Sequence, residues 1–279
     1  MDLGQISKGI KAGFGFLTTV PVKSGEEDFG LLFNNVYIFI IVAALMGVIL
    51  GVTGFVLQAF FPPALVPVLV VAAILLLTGI NHLDGLSDMG DGIIASGTKE
   101  KKIAAMKDVH AGAGGILFIG MDLLFLFSAI SLFAGYGGTT LFIGLFIAEM
   151  CAKVSMLTVA AFGKSLHPGM GSMLVDGTRM GHYVLGVLIA FAASGLAMFL
   201  LPLLVNFQMF GPELDLVRCF QFTVAGFLAV AVSIVSGLLL VDIAKKNFGG
   251  MNGDVLGAAN EIGRIAAFLV LGMLLWMLW

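Results

Sequence analysis

The sequence predicts an all-α, polytopic transmembrane helix bundle of about seven spans, with an N-terminal amphipathic interfacial helix. Three observations carry this reading. First, the 279 residues are 59% hydrophobic and 11% charged, with a mean hydropathy of +1.10. Soluble domains run about 45–50% apolar and about 25% charged, so no soluble fold of this length hides so much apolar surface. Second, several stretches approach the roughly 20 apolar residues that a spanning helix needs. Third, Lys and Arg gather in alternate connecting segments, as the positive-inside rule requires.

Residues 3–20 place Leu3, Ile6, Ile10, Phe14 and Leu17 on one stripe, with Gln5, Lys8 and Lys11 largely off it, the pattern of a helix lying in a membrane interface. Lys8, Lys11, Pro21, Lys23 and the acidic run Glu26-Glu27-Asp28 argue against a signal peptide. The expected spans are 35–61, 64–81, 114–134, 139–162, 181–205, 219–243 and 263–279. Pro62-Pro63 divides the first two, and the glycine-rich run 135–138 divides the third and fourth. The last is short enough to suit an interfacial position instead. A single integral-membrane catalytic domain over 1–279 is expected, with no soluble domain and no internal repeat.

Placing the N-terminus in the cytoplasm puts Lys8, Lys11, Lys23, Lys99, Lys101, Lys102, Lys107, Lys164, Arg179, Lys245, Lys246 and Arg264 on that side, and only Arg218 on the other. The expected location is therefore the cell (cytoplasmic) membrane, multi-pass, with a lipid bilayer as partner. Nucleic-acid binding has no support, because no basic cluster with interleaved aromatics occurs. Cys151 and Cys219 have neither metal nor disulfide spacing.

The segment 81–92 carries the most distinctive chemistry. Asp84, Asp88 and Asp91 are spaced i, i+4 and i+7, within about a 60° arc of one helical face, and Asn81 joins them. His82 points nearly opposite Asp84. Like charges so arranged repel one another, and a hard divalent cation such as Mg²⁺ offsets this while leaving coordination sites for phosphate oxygens. Gly85, Gly90 and Gly92 each weaken a helix and suggest close approach of a bulky ligand. The spacing is not that of an EF-hand loop. A solvated helix end is the plainer reading, and three aspartates in register at the mouth of a span weigh against it.

Other polar groups join as candidates. Lys107 suits phosphate as a point charge, and Asp108 suits the metal shell or a general base. Gly112, Gly114 and Gly115 suit a backbone phosphate nest or, as readily, a loop entering a span. Near the C-terminus, Asp254 and Glu261 share a face, and Glu261 and Arg264 are spaced to pair with each other. Within the fourth span, Glu149 and Lys153 are spaced i, i+4 and fit either a structural ion pair or a polar cavity wall. Asp122 has no local partner and must find one across helices. Lys164 and Arg179 fit phosphate contacts and, more simply, positive-inside residues.

These residues resemble the cobalamin synthase family, the adenosylcobinamide-GDP ribazoletransferases. The resemblance rests on His82-Leu83-Asp84-Gly85-Leu86 with Asp88 and Asp91-Gly92; Met106-Lys107-Asp108 with Gly112; Gly249-Gly250 with Gly253-Asp254-Val255-Leu256-Gly257-Ala258; and the entry 16–22. The pieces stand in the family's order across nearly the whole chain. Asn252, where many members have Thr, and Val109-His110, where many have a pair ending in Arg, depart from the pattern.

The resemblance implies a Mg²⁺-dependent transferase that joins adenosylcobinamide-GDP, a corrinoid-GDP, to α-ribazole or its 5′-phosphate and releases GMP. Asp84, Asp88, Asp91 and Asp108 are then the candidate metal ligands, and Asp91, Asp108 and Lys107 the candidate catalytic groups. Asn81, His82, His110, Lys153, Lys164, Arg179 and Asp254 are candidate substrate contacts. A homo-oligomer is compatible with the sequence. The motif is also similar to that of CDP-alcohol phosphotransferases, but those carry Ala-Arg after their Asp-Gly, where Leu86-Ser87 stands here. A cation transporter using Asp84, Asp88, Asp122 and Glu149 is the third reading; it expects carboxylates spread through the bilayer depth rather than gathered at one face.

Overall fold

The computed structural model describes residues 2–209 and 216–278. Their helices are, in order, α1 (Leu3–Leu17), α2 (Glu26–Asn34), α3 (Tyr37–Phe60), α4 (Val66–Thr78), α5 (Asn81–Ile94), α6 (Lys99–Met106), α7 (Ala113–Gly135), α8 (Gly138–Phe162), α9 (Met170–Gly177), α10 (Met180–Met209), α11 (Leu216–Asn247) and α12 (Gly253–Leu278). No strand occurs among the described residues, only an isolated parallel bridge between Ser165 and Met251. The architecture is an all-α polytopic bundle.

Among the described residues six helices, α3, α7, α8, α10, α11 and α12, are long and apolar enough to cross a membrane. The stretch expected as one span over 64–81 is instead α4, which ends at Gly79 (φ 68°), followed by α5, turned 94° away. Gly79 tolerates this left-handed backbone angle because it has no Cβ. At 13 residues α4 is only about 20 Å long. It nevertheless returns the chain to the side where α3 began, because Thr19, just beyond α1, donates its backbone N–H to Leu77 O at 2.8 Å. The last span is corrected as well. α12 has 26 residues and starts at Gly253 rather than at residue 263, so it is long enough to span and the interfacial alternative falls away.

α8 forms the axis of the bundle, buried along nearly its whole length. It meets α3 through glycines in an antiparallel crossing. A Cβ on Gly47 would lie 2.8 Å from Phe146 Cα, one on Gly51 2.6 Å from the Phe142 ring, and one on Gly54 3.1 Å from Leu141. Missing side chains let the two backbones come together, the usual basis of helix association in lipid. The outward faces of the long helices carry large apolar side chains such as Val52, Phe55, Leu124, Leu188, Leu196 and Leu239.

α1 begins with a capping box in which Asp2 and Gln5 satisfy each other's backbone N–H. It rests Gly9 and Gly13 on Ile38 and Val42 of α3, while Ile10 and Phe14 pack partly buried against the core and Leu3 stays exposed. The antiparallel α3–α8 pair puts the start of α3 and the end of α8 on one face. There α5, α6 and α9 join the starts of α7, α10 and α12, and Asp84, Asp88, Lys107 and Asp254 gather on this face.

Gly47→Val is expected to destabilise the protein by about 1–3 kcal/mol through overpacking of the α3–α8 crossing. Thermal unfolding in detergent measures it, and an unchanged midpoint would show that the crossing yields freely.

Candidate active site

α5 runs across the face of the bundle rather than through it, and glycines set its position. A Cβ on Gly85 would lie 2.9 Å from the Asp254 backbone, and one on Gly90 3.0 Å from Gly114 O. Gly114 faces back, its own Cβ position 2.6 Å from Gly90 O. α5 is thereby pressed against the first turns of both α12 and α7. Gly92 abuts Met106 and Phe248. The glycines expected to admit a ligand therefore serve helix packing: the backbones they expose are covered by other helices.

Asp91 is spent on this packing. Its Oδ2 accepts the Gly112 N–H at 2.8 Å and its Oδ1 the Gly115 N–H at 2.9 Å. It caps the otherwise unpaired start of α7, where backbone N–H groups and the helix dipole favour a carboxylate. Gly112 and Gly115 must lack side chains because a Cβ on either would collide with Asp91. The suggested phosphate nest at 112–115 is thus occupied by the protein's own carboxylate.

Asp84, Asp88 and Asp254 form the acidic group proper. Asn252 caps α12, its Oδ1 accepting the Val255 N–H at 3.1 Å, while its Nδ2 donates to Asp254 Oδ2 at 2.6 Å. Burial first, then the carboxylates of Asp84, Asp254 and Asp91, push the half-buried Asp88 carboxyl up to about 6. Lys107 and His167 are neighbours of Asp254. His167 was not singled out by sequence, since nothing in the spacing of a distant loop links it to α12. Its loop is held there by Leu166 N–H donating to Met251 O and Met251 N–H to Lys164 O, both at 2.8 Å, and by the close approach of Gly171 to Gly253.

Among the described residues no three His, Cys, Asp or Glu side chains stand as a preformed metal cage. Mg²⁺ does not require one, since one or two carboxylates plus substrate phosphates suffice. Asp84 and Asp88, neighbouring carboxylates on one face of α5 with Asp254 close by, fit such an ion.

The other candidates separate. Asp108 lies in an exposed turn, where its Oδ1 accepts the His110 backbone N–H and meets His110 Nδ1, each at 3.0 Å. The His110 backbone N–H, then its ring, holds the Asp108 carboxyl below the usual range, which makes it a weak base. Asn81 opens α5, exposed. Lys164 is exposed beside the Ser165–Met251 bridge, and Arg179 is exposed at the start of α10. Lys153 is fully buried and is not the wall of a cavity open at the acidic face.

Beneath α5 lies a buried charge network. Lys153 Nζ donates to Glu149 Oε2 at 3.4 Å, Arg264 Nε to Glu149 Oε1 at 2.8 Å, and Arg264 Nη1 to Glu261 Oε2. Asn260 Nδ2 donates to Glu261 Oε1 at 2.9 Å. The two pairs expected from spacing alone are thus one cluster joining α8 to α12. His82 points down at it: its ring has Lys153, Arg264 and Glu149 as charged neighbours, and its backbone packs on Gly257.

The class these features define is an all-α polytopic helical bundle, seamed by glycines, that gathers carboxylates of α5 and α12 at one face. Its relatives narrow the class. Residues 9–272 match the family described as cobalamin-5-phosphate synthase, and the chain belongs to that family. It is 48% identical to an adenosylcobinamide-GDP ribazoletransferase of Methanocella arvoryzae, over 98% of both chains. It is 35% identical to the Methanosarcina mazei protein of the same name (95% of this chain, 91% of that one) and 32% identical to that of Thermococcus kodakarensis (94% and 97%). No solved structure matches.

Asp91→Ala is expected to destabilise the fold by about 1–2 kcal/mol, the value of a lost helix cap, whereas Asp84→Asn and Asp88→Asn leave stability equal or slightly raised by relieving repulsion. Unfolding midpoints of the three variants without added divalent metal test this; equal losses in all three would contradict the division between cap and cluster.

Proposed function

We propose that this protein joins adenosylcobinamide-GDP to α-ribazole or its 5′-phosphate, giving adenosylcobalamin or its phosphate and releasing GMP. What carries the reading is the meeting of Asp84, Asp88, Asp254 and Lys107 on one face of a chain whose relatives bear that transferase name. The protein would sit in the cell membrane with this face toward the cytoplasm. Support comes from the side on which most Lys and Arg lie and from the nature of a nucleotide-activated substrate.

The reaction needs the 3′-hydroxyl of the ribazole to attack the cobinamide-side phosphorus. A new P–O bond forms, the P–O bond to GMP breaks, and the hydroxyl proton leaves to a base. Bound Mg²⁺, held by Asp84 and Asp88, would neutralise charge on the diphosphate and on the departing phosphate. Lys107 offers a further positive charge to the phosphate. Asp91 and Asp108, the bases suggested by sequence, are engaged by backbone N–H groups. Asp254, which has Lys107 and His167 as neighbours, is then the carboxylate we assign to receive the hydroxyl proton.

The test is GMP release by the purified protein given adenosylcobinamide-GDP, α-ribazole and Mg²⁺. Asp84→Asn and Asp88→Asn are expected to lower the rate by about 10²-fold or more, the usual scale for losing one transition-state charge contact. Chelation of Mg²⁺ is expected to abolish it. No GMP from the unmodified protein would overturn the assignment, and full activity in both variants would overturn the metal role.

A further inference from the structure

The buried network does not balance its own charge. It contains three carboxylates, Asp122, Glu149 and Glu261, and two cations, Lys153 and Arg264, all at most 4% exposed. Lys153 and Arg264 are drawn toward Glu149 and Glu261, so the surplus negative charge falls to Asp122 on α7. Both Asp122 oxygens are buried and accept no hydrogen bond, although Glu261 and Arg264 are its charged neighbours. Across from α7, Asn260 on α12 is fully buried with its Nδ2 committed to Glu261 and its Oδ1 unpaired. Three buried oxygens are thus bonded to no donor beside a cluster whose charges sum to minus one.

We propose that the bundle core binds one monovalent cation, a sodium ion or a proton, between Asp122 and Asn260. A lone surplus carboxylate in a water-poor bundle is costly, and one positive charge removes the surplus while giving these oxygens a partner. His82 is the other place to put it. Its ring faces Lys153 and Arg264 as well as Glu149, so an imidazolium there adds a third cation at the wrong end of the network. Arg264 alone does not solve the balance. Turning its unpaired Nη2 toward Asp122 pairs a carboxylate but leaves the total at minus one. The site ties α7 to α12, the two helices whose starts frame the acidic cluster, and it stands independently of the transferase assignment.

Two readings of the full-length protein in detergent test this. The first is the unfolding midpoint in sodium, potassium and choline chloride at equal ionic strength. The second is the infrared band of protonated carboxyl groups at neutral pH. If sodium is the occupant, its chloride raises the midpoint saturably while choline does not, and Asp122→Asn abolishes the shift. If the proton is the occupant, the salts are equivalent and a protonated-carboxyl band is present that Asp122→Asn removes. In either case Asp122→Asn, which is neutral, unfolds no earlier than the unmodified protein in choline. Should that variant fail to fold, Asn260→Leu serves. It is expected to raise the half-saturating sodium concentration at least tenfold or to shift the carboxyl band. Equivalent salts together with no Asp122-dependent band would overturn the proposal and leave Asp122 as an ionised partner of Arg264.

Discussion

The backbone-to-backbone approach of α5 to α7 and α12 governs the geometry of the whole acidic face. Gly90 meets Gly114 and Gly85 meets Asp254 at distances that leave no room for a Cβ. Because these contacts are made by main chain, α5 cannot turn about its axis without breaking both, and its aspartate stripe is fixed. Asp91, at one end of the stripe, is close enough to α7 to cap it. Asp84 and Asp88, nearer the other end, face Asp254 on α12. One helical stripe is thereby divided between a helix cap and an acidic group that faces α12.

A second constraint lies below. Buried charge in a membrane-type bundle is tolerated only when paired, and here the pairing crosses elements: Glu149 of α8 receives Lys153 of the same helix and Arg264 of α12. The network sets the rotation of α12 against the bundle axis, and with it the direction in which Asp254 and its Asn252 cap emerge. His82 packs between network and acidic face, so the rotation of α5 is held from beneath as well as from its sides.

Much of this was legible in the sequence, and the failures have physical causes. Apolar runs showed the helices because lipid demands them. The stripe Asp84–Asp88–Asp91 and the i, i+4 pair Glu149–Lys153 were visible because helical periodicity is local. What escaped depended on contacts between distant segments. The i+7 spacing put Asp91 with the metal ligands, but only the position of Gly112 and Gly115 shows its oxygens to be engaged. The glycines looked like room for a ligand, since sequence cannot tell which backbone comes near. The bend at Gly79 was hidden because the apolar run 64–81 comes close to the length of one span, and a turn at a single glycine leaves little local signal. Residues 253–262 were hidden as a helix start because Gly253 and Gly257, the latter packed against α5, read locally as loop punctuation.

The central claim, that Asp84 and Asp88 form the cation-binding part of the face while Asp91 and Asp108 do not, is tested most directly by Mn²⁺ binding followed by electron paramagnetic resonance. Mn²⁺ stands in for Mg²⁺ as a hard, oxygen-seeking ion. The account predicts saturable binding to the unmodified protein in the presence of GDP, binding unchanged by Asp108→Asn, and binding lost in the Asp84→Asn, Asp88→Asn double variant. Undiminished Mn²⁺ binding in that double variant would contradict it.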